Sequence, residues 1–331
     1  MNAKQKKLLL ILLGILVVLV AALLLTRLIS KQAAAKKTAA DSASESAITD
    51  KGEAYHSLVY SNGTATLSFE SDDSGNWHWT DDPDFPLDQS DVNMLVNLIS
   101  GMTPLQTITK GDTMEAYGLD HPAVTLTATT SDGTKTVFDL GNQTADGEGN
   151  YYMLMNGDTS QVYVVSNTLH DQLVRGIYDM MQLPTFPKLT EDNLLAVNIQ
   201  GAVSSALVPT KTADGSSTKV SWNCNGTDVT GKTDLAAMVS ELGDLSFAGC
   251  ADYKPTDQAA SLCGFDKPTF TLTVDYSNDS GSKQTMTLVV GGVNSDKSGY
   301  YARLNDDTTI YNLSKDSVSG LLTIASSGFA S

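Results

Sequence analysis

The chain has 331 residues and a formal net charge of −17 at pH 7, a length that suits about two domains. Residues 1–40 hold seven of the 21 basic side chains and no acidic one. The remaining residues therefore carry 14 basic and 38 acidic side chains, a net charge of −24. Because so acidic a segment has no surplus cations to exchange for counterions, we expect no nucleic-acid partner.

The first predicted element is a transmembrane helix at residues 8–28, preceded by a cytoplasmic segment at residues 1–7. Its apolar part, Leu8–Leu25, contains no charged side chain and would rise about 27 Å as a helix, close to the ~30 Å hydrocarbon core of a bilayer. We predict a single-pass protein of the cell membrane with an extracytoplasmic C-terminal region. Basic residues flank both ends, so the positive-inside rule decides the orientation only weakly. A cytoplasmic location of the C-terminal region is therefore an alternative. A cleaved signal peptide is the other alternative, since Ala33–Ala35 resembles a cleavage site.

Residues 29–53 are predicted to be a flexible stalk. The segment is rich in Ala, Ser, Lys and Thr, and it has no aromatic residue. Such a composition buries too little apolar surface to offset the entropy lost on ordering. The stalk would separate the membrane from the folded part of the chain.

The rest of the chain repeats itself. The pattern G-φ-D-x-P occurs at 118–122 and again at 264–268, and further matches follow in the same order at offsets of 146 to 150. The shared positions are Gly118, Asp120, Pro122, Gly141, Tyr151, Tyr152 and Tyr163 in the first copy, and Gly264, Asp266, Pro268, Gly291, Tyr300, Tyr301 and Tyr311 in the second. We predict two α+β repeat modules at 54–183 and 192–325, joined by a linker at 184–191.

Each copy combines strand and helix patterns. Segments such as Ala123–Thr129 and Thr136–Leu140 alternate apolar and polar residues, with hairpin-turn chemistry between them. Two helical patterns interrupt the strands, one beginning near Asp88 and one after Asn167. The predicted fold class is α+β: two tandem copies of an antiparallel-sheet module with helices on one face, after the N-terminal transmembrane helix.

The order of the G-φ-D-x-P turn, the strands after it, the central glycine, the Tyr-Tyr pair and the φ-Tyr-φ-φ strand resembles one bacterial family. It is the domain of unknown function 4340 (DUF4340), and the resemblance covers about residues 54–325. It implies a membrane-anchored extracytoplasmic protein, often encoded beside ABC transporters of the gliding-motility type. It implies no catalytic residues, so none are carried over.

The sequence predicts no catalytic, cofactor or metal site. The four histidines are scattered, and Lys267 replaces His121 in the second copy. Two SxxK strings, at 216–219 and 280–283, fall in turn-forming segments. A serine nucleophile of the SxxK type would instead lie at the start of a helix, with the lysine one turn later. The acidic residues between 72 and 84 do not have EF-hand spacing.

Three cysteines, Cys224, Cys250 and Cys263, lie in the second copy. Three cysteines cannot all form disulfides within one chain, and their spacing fits no short zinc-binding pattern. A bridge between Cys250 and Cys263 is conceivable outside the cytoplasm. Three small buried thiols are the alternative.

These observations favour a non-enzymatic, membrane-anchored binding or scaffold protein that works with a membrane complex, such as an ABC-type transporter; its small-molecule ligand is unknown. A cell-envelope hydrolase with a site between the two modules is one alternative. A module that binds peptide or glycan is another.

Overall fold

The computed structural model describes residues 46–52, 54–214 and 217–329. The predicted cytoplasmic segment, the transmembrane helix and most of the stalk lie outside the described residues. Within the described ranges, no helix has both the length and the apolar character needed to cross a membrane. Backbone contacts divide the chain into two compact units. The first holds residues up to 71 and residues 92–174, and the second holds residues 72–91 and 175–331.

The first sheet has eight strands. They are β1 (Tyr55–Ser61), β2 (Thr66–Ser71), β3 (Trp77–Trp79), β4 (Gln106–Ile108), β5 (Val124–Thr130), β6 (Lys135–Gln143), β7 (Tyr151–Met155) and β8 (Val162–Val165). Their order in the sheet is β3-β2-β1-β5-β6-β7-β8-β4. The pairs β1–β2, β1–β5, β5–β6, β6–β7, β7–β8 and β4–β8 are antiparallel.

The second sheet has nine strands. They are β9 (Leu194–Gln200), β10 (Ser204–Asp214), β11 (Ser217–Cys224), β12 (Thr227–Asp228), β13 (Gly249–Asp252), β14 (Phe270–Ser277), β15 (Lys283–Val293), β16 (Gly299–Leu304) and β17 (Ile310–Ser314). Their order is β12-β11-β10-β9-β14-β15-β16-β17-β13, and the pairing is antiparallel.

The two sheets share one strand order. When β9 is matched with β1, β14 takes the place of β5, and β13 takes the place of β4 at the edge. Among the strands that the structure describes, only β12 has no counterpart in the other sheet. The predicted α+β class with two antiparallel sheets is confirmed.

Six α-helices are described. They are α1 (Gln89–Ile99), α2 (Met114–Tyr117), α3 (Asn167–Leu173), α4 (Thr233–Gly243), α5 (Asp257–Leu262) and α6 (Ser319–Ser327). Short 3₁₀ helices follow α3 at Ile177–Met180 and precede α6 at Asp316–Val318.

Cross-strand layers of apolar side chains form the core of each unit. In the first sheet Leu126 lies opposite Tyr60 on one side and Phe138 on the other. In the second sheet Leu272 lies opposite Ile199 and Leu288. All of these side chains are buried. Since full burial of one such side chain contributes about 1.5–3 kcal/mol, these layers fix the register of the central strands.

Helix α2 departs from the predicted arrangement of helices on one face. On β7, Met153 lies opposite Leu140 in the core, so Tyr152 and Leu154 point to the other face of the sheet. There they pack with Tyr117 of α2 in a separate apolar cluster. The prediction was therefore too simple for the first unit. A four-residue helix has no periodicity that could reveal its face.

Residues 46–52, which composition assigns to the stalk, are bonded to the first unit. Ile48 N donates to Met102 O at 2.8 Å, and Gly101 N donates to Asp50 O at 3.0 Å. The Thr49 hydroxyl donates to Ile99 O at 2.6 Å and accepts from Met102 N at 2.7 Å. The end of the stalk thus packs on the turn that follows α1.

Candidate functional site

The repeated glycines bring a turn and a strand into close contact. Gly118 and Gly264 have φ angles of +68° and +85°, which glycine adopts without steric cost. A Cβ atom on Gly141 would lie 2.3 Å from Tyr117 O, and one on Gly291 would lie 2.3 Å from Cys263 O. Both contacts occur where the strand pairing shifts register. These motif residues support the fold at matching places in the two units.

The aspartates and prolines of the motif do not form a common site. The carboxylate of Asp120 lies 4.0 Å from the exposed His121 ring, whereas that of Asp266 accepts a hydrogen bond from the Ser261 hydroxyl. Pro122 and Pro268 are half-buried before strands β5 and β14. The matching positions therefore keep the turn but differ in their hydrogen-bond partners.

Most of the predicted tyrosines have structural partners. The ring centroids of Tyr152 and Tyr117 are 4.6 Å apart. The hydroxyl of Tyr163 donates to Gln161 at 3.3 Å, and that of Tyr311 donates to Asp307 at 2.5 Å. Burial, with this hydrogen bond as a second cause, raises the pKa of Tyr311 well above its ordinary value. The hydroxyl of Tyr301 accepts from Ser295 N at 3.2 Å.

Tyr151 and Tyr300 occupy matching positions but differ in their surroundings. In the first unit Tyr151 stacks on His170 of α3, with centroids 3.9 Å apart and an angle of 10° between the rings. In the second unit Tyr300 lines an open groove of about 520 Å³. The imidazole thus covers a tyrosine in one copy, and the corresponding tyrosine borders a cavity in the other.

The groove runs along α6 and is lined by a mixed set of side chains. The polar members are Thr269, Tyr300, Lys315, Ser319, Thr323 and Ser326, and the apolar ones are Ala202, Leu322 and Ala325. They come from the β9–β10 turn, the start of β14, β16, the end of β17 and α6. The groove therefore depends on the fold of the whole second unit.

The hydroxyl groups of the groove donate their protons within the protein. Thr269 donates to Gly291 O at 2.6 Å, and Ser319 donates to Glu241 Oε1 at 3.0 Å. Thr323 donates to Ser319 O and Ser326 donates to Thr323 O, both at 2.9 Å. Each hydroxyl oxygen consequently has lone pairs left to accept hydrogen bonds from a ligand.

Lys315 and Tyr300 supply the donors. In the part of the chain that the structure describes, neither Lys315 Nζ nor the Tyr300 hydroxyl has a hydrogen-bond or ion-pair partner. Two other lysines of the second unit form ion pairs, Lys254 with Asp82 at 2.5 Å and Lys283 with Asp275 at 2.8 Å. The groove thus combines acceptor oxygens, one cation and one phenol.

A smaller cavity of about 330 Å³ lies in the first unit, between the end of α1 and the start of α3. Met102, Leu105 and Leu169 contribute apolar surface to it. It adjoins the turn that holds residues 46–52. Asn97, Ser100, Thr103 and Ser166 contribute polar groups to it.

The other candidates for chemistry do not come together. Within residues 46–52, 54–214 and 217–329, no three His, Cys, Asp or Glu side chains are placed to hold a metal ion. Ser280 and Lys283 of one SxxK string bond separately, the serine to Asn278 and the lysine to Asp275. Ser216, the serine of the other string, lies outside the described ranges.

The three cysteines are free. Burial raises the pKa of Cys250 to about 12, so its thiol stays protonated at neutral pH. Burial also raises the pKa of Cys224 and Cys263. This agrees with the interpretation of Cys224 as a small buried residue, while Cys250 and Cys263 are half-buried.

The fold and the groove together define an α+β protein built on two antiparallel sheets of common topology, with an open groove on the second. The family model described as "Domain of unknown function (DUF4340)" matches residues 77–219 and 231–326. The chain therefore belongs to the DUF4340 family, as the sequence motifs predicted. No curated protein matches the chain, and no solved structure matches it.

Sequence reasoning identified Tyr300 but not the groove around it. Lys315, Ser319 and Thr323 carry no motif, and they meet Thr269 only when the sheet is formed. The one available signal was the difference between the copies, because His170 has no histidine counterpart at the end of the second copy.

Proposed function

We propose that the chain is a non-enzymatic, membrane-anchored extracytoplasmic binding or scaffold protein. In this proposal it is an accessory subunit of an ABC-type transport complex of the gliding-motility kind. The tether is the apolar segment at residues 8–28, and the binding part is formed by the two sheets.

The observation that carries the proposal is the junction between the tether and the first unit. Four hydrogen bonds hold residues 48–50 on the turn at residues 99–102. The chain that arrives from the apolar segment is thus attached at a fixed place, as a subunit that must present a defined surface requires. A wholly flexible connection would need no such bonds.

A binding role is further supported by the difference between the two copies. The shared glycines and tyrosines maintain the fold in both copies. The second copy has a groove beside Tyr300, whereas the first copy has a stacked Tyr151–His170 pair at the corresponding position. A duplicated scaffold that has opened a groove in one copy is well suited to ligand or partner binding.

The orientation can be tested with two reporters fused to the C-terminus. Alkaline phosphatase folds only outside the cytoplasm, and green fluorescent protein exported in unfolded form fluoresces only inside. We expect an active phosphatase fusion and a dark fluorescent fusion. A bright fluorescent fusion with an inactive phosphatase would refute the extracytoplasmic placement.

The partner can be tested by purifying the tagged full chain from membranes in mild detergent, followed by mass spectrometry. The matched control is a tagged fragment of residues 1–45, which keeps the apolar segment and lacks both sheets. We expect transporter subunits with the full chain and not with the control. Recovery of the same proteins with both, or of none, would contradict the scaffold role.

A further inference from the structure

We propose that the groove of the second unit binds an anionic saccharide. The proposal goes beyond the function given above, because it requires neither the membrane anchor nor a transport partner. It follows from the donors and acceptors that the groove presents, from its aromatic wall and from its single unpaired cation.

The groove wall is largely apolar but carries four hydroxyl groups, which favour a ligand that offers hydrogen-bond donors beside an apolar face. Thr269, Ser319, Thr323 and Ser326 direct their protons to acceptors within the protein. Their oxygens can therefore only accept from a ligand in this arrangement. Neighbouring hydroxyl groups on a sugar ring supply several such donors over a short distance, whereas an apolar ligand would leave these oxygens without partners.

Tyr300 and Leu322 supply the apolar part of the site. A tyrosine ring offers a flat apolar surface with a polar end, which suits the C–H face of a sugar and its peripheral hydroxyl groups together. The groove volume of about 520 Å³ falls in the range of small-molecule sites, ~300–1,000 Å³. One or two sugar rings fit this space.

Lys315 indicates that the sugar carries a negative charge. Lys315 lines the groove, is exposed and has no carboxylate partner among the described residues, in a chain whose net charge is −17. A carboxylate on the ligand would form a charge-assisted hydrogen bond with it. A uronic acid combines this carboxylate with ring hydroxyl groups.

The first unit supplies the internal control. Tyr151 occupies the position of Tyr300, but His170 covers its ring at a centroid distance of 3.9 Å. A sugar ring cannot lie on that face while the stack is in place. The proposal therefore assigns binding to Tyr300 and none to Tyr151.

The test uses the full chain in a polyoxyethylene detergent, which contains no sugar. The probes are cellobiouronic acid, which carries one glucuronate, and the neutral cellobiose. Calorimetry and saturation-transfer NMR measure binding to the native chain and to the Tyr300→Ala, Lys315→Met and Tyr151→Ala variants. The peptide Gly-Glu-Gly serves as a third probe, with the same charge and no sugar ring.

We expect the uronate to bind at least about tenfold more tightly than cellobiose, a difference of ~1.4 kcal/mol. Tyr300→Ala should weaken both sugars about tenfold or more, and Lys315→Met should abolish only the preference for the uronate. Tyr151→Ala should leave both affinities unchanged. Thr323→Val, which leaves the aromatic wall intact, should weaken both sugars several-fold and covers the case in which Tyr300→Ala fails to fold.

Three results would overturn the proposal. One is the absence of binding of either sugar to the native chain at concentrations up to about 20 mM, which would leave even a weak, millimolar site detectable. Another is unchanged sugar affinity in both folded groove variants, Tyr300→Ala and Thr323→Val. The third is tighter binding of the peptide than of the uronate, which would assign the groove to an acidic peptide.

Discussion

Glu241 of α4 is the residue that fixes the wall of the groove. Its carboxylate accepts from Gly320 N at 2.6 Å, from Leu321 N at 2.9 Å and from the Ser319 hydroxyl at 3.0 Å. The amides of Gly320 and Leu321 belong to the first turn of α6 and have no partner within the helix. A side chain from one helix thus caps the start of another.

Replacing Glu241 by Ala should destabilise the second unit by about 1–2 kcal/mol, since two amides lose their acceptor. Glu241→Gln keeps an acceptor oxygen and should cost less. Urea unfolding followed by circular dichroism measures both changes, and Glu148→Ala on an exposed loop is the control. Equal stabilities of the alanine and native proteins would show that the cap contributes nothing.

Asp72 shows how a turn responds to pH. The amides of Asn76 and Ser74 and the side chains of Asn76 and His78 bond to its carboxylate, and these hydrogen bonds lower its pKa from 3.8 to about 2. Because the pKa is lower in the folded state, the stabilisation is present above about pH 4. It is lost as the pH falls through about 2.

The Asp72→Asn variant keeps an acceptor oxygen but cannot ionise. We expect it to have a lower melting temperature than the native chain at pH 5 and nearly the same melting temperature near pH 2. Thermal unfolding across this range measures the difference. A difference that stays constant with pH would mean that ionisation of Asp72 plays no part in the turn.

Single residues also show where sequence prediction stops. The repeat pairs Gly118 with Gly264, and the positive φ angles of both give a local reason for glycine at these positions. It did not predict why glycine is also shared at Gly141 and Gly291. At both positions a backbone carbonyl oxygen lies 2.3 Å from where a Cβ atom would be, so a larger residue would clash. That contact joins residues more than 20 positions apart, and no local pattern records it.

Gly141→Ala should therefore destabilise the first unit by about 1–3 kcal/mol, as overpacking commonly does. The obstacle is the Tyr117 carbonyl of the backbone, which cannot move as a flexible side chain would. Gly249→Ala is the matched control, since its Cβ atom would meet nothing within 4 Å. Thermal unfolding of the two variants compares them, and similar melting temperatures would refute the steric explanation.

At the scale of elements, the segment at residues 46–52 departs most from its sequence pattern. Its composition predicts a flexible chain, but Thr49 acts as both donor and acceptor on the turn after α1. The strands were easier to predict, because alternation of apolar side chains is local and repeats in both copies. Docking of a polar segment depends on a distant turn, so composition alone misses it.

Thr49→Val removes both side-chain hydrogen bonds and keeps the shape of the residue. The amide of Met102 loses its acceptor, so its hydrogen exchange should become about tenfold faster or more, equivalent to ~1.4 kcal/mol. Exchange measured by NMR or mass spectrometry tests this, with Thr66→Val on β2 as the control. An unchanged exchange rate at Met102 would show that residues 46–52 are not held by Thr49.

For the whole molecule, duplication explains both what is shared and what differs. Eight strands of each sheet follow one order, and the motif glycines keep the same contact in both units. The polar partners have diverged, since a histidine covers Tyr151 in the first unit and Tyr300 borders a groove in the second. Fold and family were accessible from sequence, since both depend on repeated motifs. The groove was not, because its residues meet only through the sheet.

The attachment of residues 46–52 also has a mechanical consequence. A pulling force that arrives along the chain from the N-terminal side acts first on the hydrogen bonds to the turn at residues 99–102, before it reaches β1. If those bonds open while the sheet stays intact, seven residues are released, and their fully extended length of roughly 23–25 Å is the upper limit of the added reach. The joint would then act as a short extensible link that absorbs load ahead of the folded unit.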